Sequence, residues 1–85
     1  MILHVTEVRY LGQYRLYVAF DNGEAGEVDL QGTLDGEVFE PLRDMTAFAR
    51  VRRDALLKTV VWQNGADLAP EYLLDLQRAQ SRKVA

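Results

Sequence analysis

The sequence predicts an α+β fold: an antiparallel meander over residues 2–30, extended by one or two later strands, with a short middle helix and a C-terminal helix. Three observations carry that expectation. Residues 14–20 alternate between apolar and polar positions with a period of two, the signature of a strand lying with one face on a core. Two Asn-Gly pairs, Asn22-Gly23 and Asn64-Gly65, mark tight turns between apolar segments. Pro70 then opens a segment whose leucines recur at helical spacing.

Residues 2–10 form the first predicted strand, with Leu3 and Val5 on one face and Thr6, Val8 and Tyr10 on the other. The alternation breaks midway, so a bulge or a strand covered on both faces is expected. Gly12-Gln13 reads as a tight turn. In the second strand Tyr14, Leu16, Val18 and Phe20 face the core, while Arg15, Tyr17 and Ala19 face away. Asn22-Gly23 suits a two-residue type I′ turn, which sends a third strand back over residues 24–30. Val28 and Leu30 then join the core face, and Glu27 and Asp29 meet solvent.

Gly32 and Gly36 mark a loop, and Leu34, Val38, Phe39 and Leu42 suit an irregular helical turn interrupted at Pro41. Asp44 is an N-cap for a short helix over residues 45–50, with Met45, Phe48 and Ala49 on a shared face. Residues 51–53 read as a short edge strand and residues 56–62 as a longer one. In the final helix Leu73, Leu74, Leu76 and Ala79 give the apolar stripe. Residues 1–80 are expected to form a single domain and residues 81–85 a frayed tail.

Composition excludes more chemistry than it supports. Hydrophobic residues make up 48% of the chain and charged residues 27%, which is globular usage and too apolar for a disordered segment. Without cysteine there is no disulfide, thiolate zinc site or cysteine nucleophile. His4 is the only histidine, and its apolar neighbours suit a hydrogen-bonded structural role. From Asp21, the third, fifth and twelfth positions of a calcium loop would fall on Gly23, Ala25 and Gly32, so that pattern fails. The glycines at 23 and 26 flank a hairpin and do not lead a strand into a helix, so no phosphate loop is expected. No serine or threonine has the setting of an activated nucleophile. The expectation is therefore a non-enzyme with no catalytic residues, no cofactor and no metal. No apolar run is long enough to cross a bilayer and the N-terminus lacks a signal-peptide layout, which points to the cytoplasm and away from membranes.

The net charge of −3 conceals a split. Residues 1–41 carry two basic and eight acidic side chains, and residues 42–85 carry eight basic and five acidic. Arg50, Arg52 and Arg53 form one basic cluster, and Arg78, Arg82 and Lys83 another. These are candidate contacts for nucleic acid or an acidic partner, weighed against simple solvated faces. Tyr10, Tyr14, Tyr17 and Phe20 lie on paired strands, as in a single-strand nucleic-acid platform, but only Arg9 and Arg15 lie near them. The core is the simpler destination for Tyr14 and Phe20.

The segment Thr59-Val60-Val61-Trp62-Gln63-Asn64-Gly65-Ala66-Asp67-Leu68-Ala69-Pro70-Glu71 is more particular. Together with residues 16–24, residues 28–30, Phe39, Leu42 and Phe48, it resembles the bacterial domain of unknown function 2442 family over about residues 3–76. That resemblance implies a small α+β fold, found alone or attached to a helix-turn-helix DNA-binding domain. It also implies neighbouring small genes of a toxin–antitoxin kind, and it brings no catalytic residues. The chain ends soon after the last predicted helix, so partner binding is expected ahead of operator binding. Trp62, Asn64 and Asp67 are the candidate partner contacts. The structural alternative has Trp62 cover one end of the core and Asp67 cap the last helix or fix the turn.

The functional expectation is a non-catalytic protein-interaction domain, the antitoxin-like or regulatory member of a small bacterial gene pair. Its alternative is a nucleic-acid-associated transcriptional regulator that uses the basic C-terminal half. Another small protein is the expected partner, and a homodimer through an exposed strand edge is open.

Overall fold

The computed structural model describes residues 2–81. Two antiparallel three-stranded sheets share one core, with the C-terminal helix along one side. The first sheet contains β1 (Val5–Gly12), β2 (Arg15–Phe20) and β3 (Ala25–Asp29) in that order. The second contains β4 (Arg52–Asp54), β5 (Thr59–Val61) and β6 (Asp67–Leu68). Between them run two 3₁₀ turns, Gln31–Thr33 and Glu40–Arg43, and the short helix α1 (Met45–Phe48). Helix α2 (Pro70–Ser81) closes the described chain. The α+β meander with later strands is thus present, and the later strands form a sheet of their own. Ser81 is the last residue of α2, and the rest of the expected frayed tail lies outside the described residues.

The broken alternation of β1 is resolved by bulges. Register shifts between Val5 and Glu7, and again between Tyr10 and Gly12, leave Thr6 and Leu11 as extra residues. The first bulge puts Val5, Val8 and Tyr10 opposite Phe20, Val18 and Leu16, all on the core side. Val8 and Tyr10 therefore do not share the face opposite Val5 that simple alternation assigns to them. In β2 the assignment holds: Leu16, Val18 and Phe20 are buried, with Val28 of β3 and Leu30 just beyond it also in the core.

The two Asn-Gly turns are one device used twice. Each is a three-residue loop with glycine as its left-handed residue (Gly23 φ 89°, Gly65 φ 90°), so the two-residue type I′ turn expected at Asn22-Gly23 is not what forms. In the first, Gly23 N–H donates to Phe20 O at 3.2 Å and Phe20 N–H to Glu24 O at 2.9 Å. In the second, Gly65 N–H donates to Trp62 O at 3.0 Å and Trp62 N–H to Ala66 O at 2.9 Å. The asparagine Oδ1 accepts from the residue two positions on in both, Glu24 at 3.0 Å and Ala66 at 3.1 Å.

Asp44 caps α1 as expected, accepting from Thr46 N–H at 3.0 Å, but the helix ends at Phe48 and leaves Met45 half exposed. The strand expected over residues 56–62 begins only at Thr59. Both carboxylate-directed N–H groups of Leu56 and Leu57 donate to Asp54 Oδ2, at 3.0 and 2.8 Å, and Lys58 turns left-handed at φ 55°. That turn places Leu56 at the surface, 92% exposed. In α2 Leu73 and Leu74 are buried and Leu76 packs half-buried against the core as expected, but Gln77 takes the next inward position, one helical turn beyond Leu73 and Leu74, and Ala79 is exposed. The sheets meet at Val5, whose N–H donates to Lys58 O at 2.9 Å and whose carbonyl accepts from Arg53 Nε at 2.6 Å.

Candidate functional site

The β5–β6 hairpin is the centre of the region that the sequence singles out. Val60 and Val61 pair with Leu68 and Asp67, and Trp62 follows directly, so its indole enters the core beside Phe48 and Phe39. Trp62 is 1% exposed, and Nε1–H donates to Phe48 O at 2.9 Å. The ring therefore presents no surface to a partner; it ties the hairpin to the end of α1.

Asn64 is also engaged at both ends of its amide. Oδ1 fixes the turn through Ala66 N–H, and Nδ2 donates to Val38 O at 2.8 Å, which pins the turn preceding the second 3₁₀ segment to the hairpin. Asp67 lies exposed on β6, opposite Val61. Its carboxylate makes no side-chain hydrogen bond to the described residues, so it neither caps α2 nor fixes the turn.

These contacts leave a groove of about 250 Å³ between the 3₁₀ segment, α1 and the hairpin tip, lined by Pro41, Leu42, Ala47, Arg50, Gln63 and Asn64. Its floor is apolar, and Arg50 stands at its rim, with Nη1 3.2 Å from Gln63 Oε1. Val38, in the turn before the Glu40–Arg43 segment, and Met45, at the start of α1, are 48% and 49% exposed.

Arg50, Arg52 and Arg53 do not share one face. Arg52 and Arg53 are successive strand residues, opposite Val61 and Val60, and so point to opposite sides of the sheet. Arg52 Nη1 lies 3.3 Å from Asp54 Oδ1, and Arg53 is spent on the Val5 carbonyl. Of the second cluster, Arg78 pairs with Glu24, whose carboxyl this guanidinium holds below its ordinary range; Arg82 and Lys83 lie outside the described residues.

The family described as protein of unknown function (DUF2442) matches residues 5–79. The chain belongs to that family. A crystal structure from Nitrosomonas europaea, described as a "putative DNA binding protein", is similar over 100% of this chain, with a TM-score of 0.83 and 27% identity. This chain spans 55% of that protein's length. No curated protein matches.

Within this DUF2442 fold the aromatic residues of the first sheet divide between its faces. Phe20 is buried, and Tyr14 packs edge-on to Phe48 at 5.4 Å with its hydroxyl on Arg43 O. Tyr17 faces outward, with the Arg9 guanidinium 5.3 Å from its ring centroid. His4 Nδ1 lies 3.2 Å from Asp21 Oδ2, and no serine or threonine hydroxyl hydrogen-bonds to either residue among the described residues. Nor do the described residues place three or more His, Cys, Asp or Glu side chains where they could hold a metal ion. No described helix is long and apolar enough to cross a membrane.

Sequence reasoning missed Pro41, Leu42, Ala47 and Gln63 as groove residues. Nothing local marks them, because the groove arises only where three distant segments converge. Gln77 was missed too, although a polar residue at the inward position of an apolar stripe is a readable signal.

Proposed function

We propose that the chain is a non-catalytic protein-interaction domain, the antitoxin-like or regulatory member of a small bacterial gene pair. The groove beside Arg50 supports this reading: an open apolar floor with a cation at its rim suits an apolar side chain flanked by a carboxylate on a partner protein. Arg50 then acts as the acidic-partner contact and Asn64 shapes the groove, while Asp67 is an exposed carboxylate on β6 outside the groove lining. The test is affinity isolation of the tagged chain from its host, with and without nuclease, alongside Arg50→Glu. A stoichiometric protein that survives nuclease and is lost with Arg50→Glu is the expected result. Recovery of nucleic acid alone, or of a partner indifferent to Arg50→Glu, would overturn the reading.

The description of the Nitrosomonas europaea protein as DNA-binding favours a second reading, a nucleic-acid-associated regulator that uses the basic C-terminal half. Binding carried by Arg50, Arg52 and Arg53 would weaken steeply as salt rises, because each phosphate contact releases counterions. A flat salt response would remove phosphate contacts as its basis. The separation of Arg52 from Arg53 across the sheet weighs against that reading.

A further inference from the structure

The outer edge of the first sheet is β3, and the register fixes which of its backbone groups are free. Phe20 N–H donates to Glu24 O and Leu30 N–H to Tyr14 O, so positions 24, 26, 28 and 30 bond inward to β2. Ala25, Glu27 and Asp29 therefore turn their N–H and C=O groups away from the sheet. Asp29 is already covered. The Gln80 amide accepts from its N–H and donates to its C=O, both at 2.8 Å, in the manner of a neighbouring strand. Ala25 and Glu27 have no backbone hydrogen-bond partner on this edge among the described residues.

Beside them a cleft of about 290 Å³ opens between β3 and the last turns of α2, lined by Ala25, Gly26, Glu27, Gln77, Gln80 and Ser81. Gln77 is 9% exposed and packs under Gly26 so closely that a Cβ there would stand 2.7 Å from Nε2. Its Oε1 is buried with no hydrogen-bond partner. A buried amide oxygen without a donor is rare, and here it borders an unpaired strand edge.

We infer that β3 is a strand-addition site, at which an extended segment of a partner protein pairs with Ala25 and Glu27 and supplies a donor to Gln77 Oε1. The surroundings define that segment. Gln80 ends the free edge at Asp29, so the paired stretch is short. On the outer face the residue beside Glu27 is a lysine or arginine, since the Glu27 carboxylate is exposed, its one ion-pair partner among the described residues is Arg15 at 3.5 Å, and Asp29 lies two positions on along the same face. On the inner face the residue beside Gly26 is small and hydrogen-bonding, because Gln77 fills the space beneath it. A second copy of this chain is a poor occupant, because antiparallel pairing of two β3 edges would set their carboxylates against one another. The site shares no residue with the groove at Arg50 and shares with the reading above only that the domain binds protein.

The test begins with amide hydrogen exchange on the free chain by nuclear magnetic resonance. Fast exchange at Ala25 and Glu27 beside slow exchange at Gly26 and Val28 is expected; slow exchange at all four would show a covered edge and overturn the site. The chain is then titrated with the peptide Thr-Val-Ser-Lys-Ser-Val-Thr and with its counterpart carrying Glu for Lys. At about 1 mM the lysine peptide should slow exchange at Ala25 and Glu27 about tenfold, and the glutamate peptide should bind several-fold more weakly. Glu27→Pro removes an outward donor and no inward one, and should abolish the protection at Ala25. If that variant does not fold, Glu27→Lys serves instead and should reverse the peptide preference. No protection with the lysine peptide, or protection unchanged in these variants, would overturn the inference. Protection that grows with protein concentration alone would assign the edge to a second copy and overturn it too. None of these outcomes bears on the groove, because each is read at β3 amides.

Discussion

Replacing Trp62 with phenylalanine separates the core role of the family's most particular string from a contact role. The indole is 1% exposed and its N–H donates to Phe48 O. Truncating a buried aromatic to alanine costs about 3–5 kcal/mol, and phenylalanine keeps most of the ring, so the packing loss is about 1 kcal/mol. The Phe48 carbonyl keeps a second donor, Val51 N–H at 3.2 Å, so the lost hydrogen bond costs about 1 kcal/mol, near the low end of its range. Trp62→Phe should therefore destabilise by about 2 kcal/mol, which in a domain of this length lowers Tm by about 8–16 °C. Circular dichroism is the assay, because the substitution removes the only tryptophan as a fluorescence probe. Trp62→Ala should lose about 4 kcal/mol, a large share of the stability of a small domain. A Trp62→Phe melt that coincides with that of the parent would refute the buried hydrogen bond. Lost partner binding at unchanged Tm would make Trp62 a contact residue after all.

The two asparagine turns give an internal comparison: Asn64→Ala should cost about 1–2 kcal/mol and exceed Asn22→Ala in a denaturant titration, because only Asn64 also holds the Val38 carbonyl. Gly65→Ala, at φ 90°, should cost about 1–2 kcal/mol for the left-handed conformation, read in the same titration. Asp54 gives a pH dependence: hydrogen bonds from Leu57 and Leu56 and the Arg52 guanidinium hold its carboxyl below its ordinary value of 3.8, against burial. Its contribution is therefore full above that value and is lost as pH falls through the lower folded value, so Asp54→Asn should flatten the acid limb of a Tm–pH curve. Gly26→Ala should destabilise against Gln77 yet be relieved in the Gly26→Ala, Gln77→Ala double variant, a non-additivity that a thermal melt would detect.

What could be read from the sequence was what local chemistry decides. The alternation of β2, the Asn-Gly turns, the Asp44 cap and the proline start of α2 each depend on residues within a few positions of one another. The errors fall where local preference competes with a distant or less obvious partner. Leu56 and Leu57 look like strand residues until the Asp54 carboxylate draws their N–H groups into a turn. β6 has only two residues, too few for a pattern, and exists because Val60 and Val61 offer it a paired edge. The bulge at Thr6 could be suspected from the broken alternation, but its effect on Val8 and Tyr10 depends on registration against β2. Arg50, Arg52 and Arg53 looked like one patch because they are neighbours in sequence. Strand geometry sends the latter two to opposite sides.

The candidate site was legible only in its framework. Trp62, Asn64, Gly65 and Ala66 are occupied, respectively, by a core hydrogen bond, a doubly engaged amide, a left-handed turn and a buried methyl group. A segment spent so completely on holding the hairpin against α1 and the 3₁₀ segment identifies the scaffold and leaves little free to recognise a ligand. Under the proposed interaction reading, specificity resides in groups that the scaffold displays at its surface: Arg50 at the groove rim, the half-exposed Val38 and Met45, and the outward backbone of Ala25 and Glu27 at the sheet edge. Substitutions at those positions can change a partner while leaving the fold intact, whereas substitutions in the string change the fold first. Membership in the family therefore carries the architecture to this chain, and the proposed partner contacts are to be sought at the groove rim and the open edge.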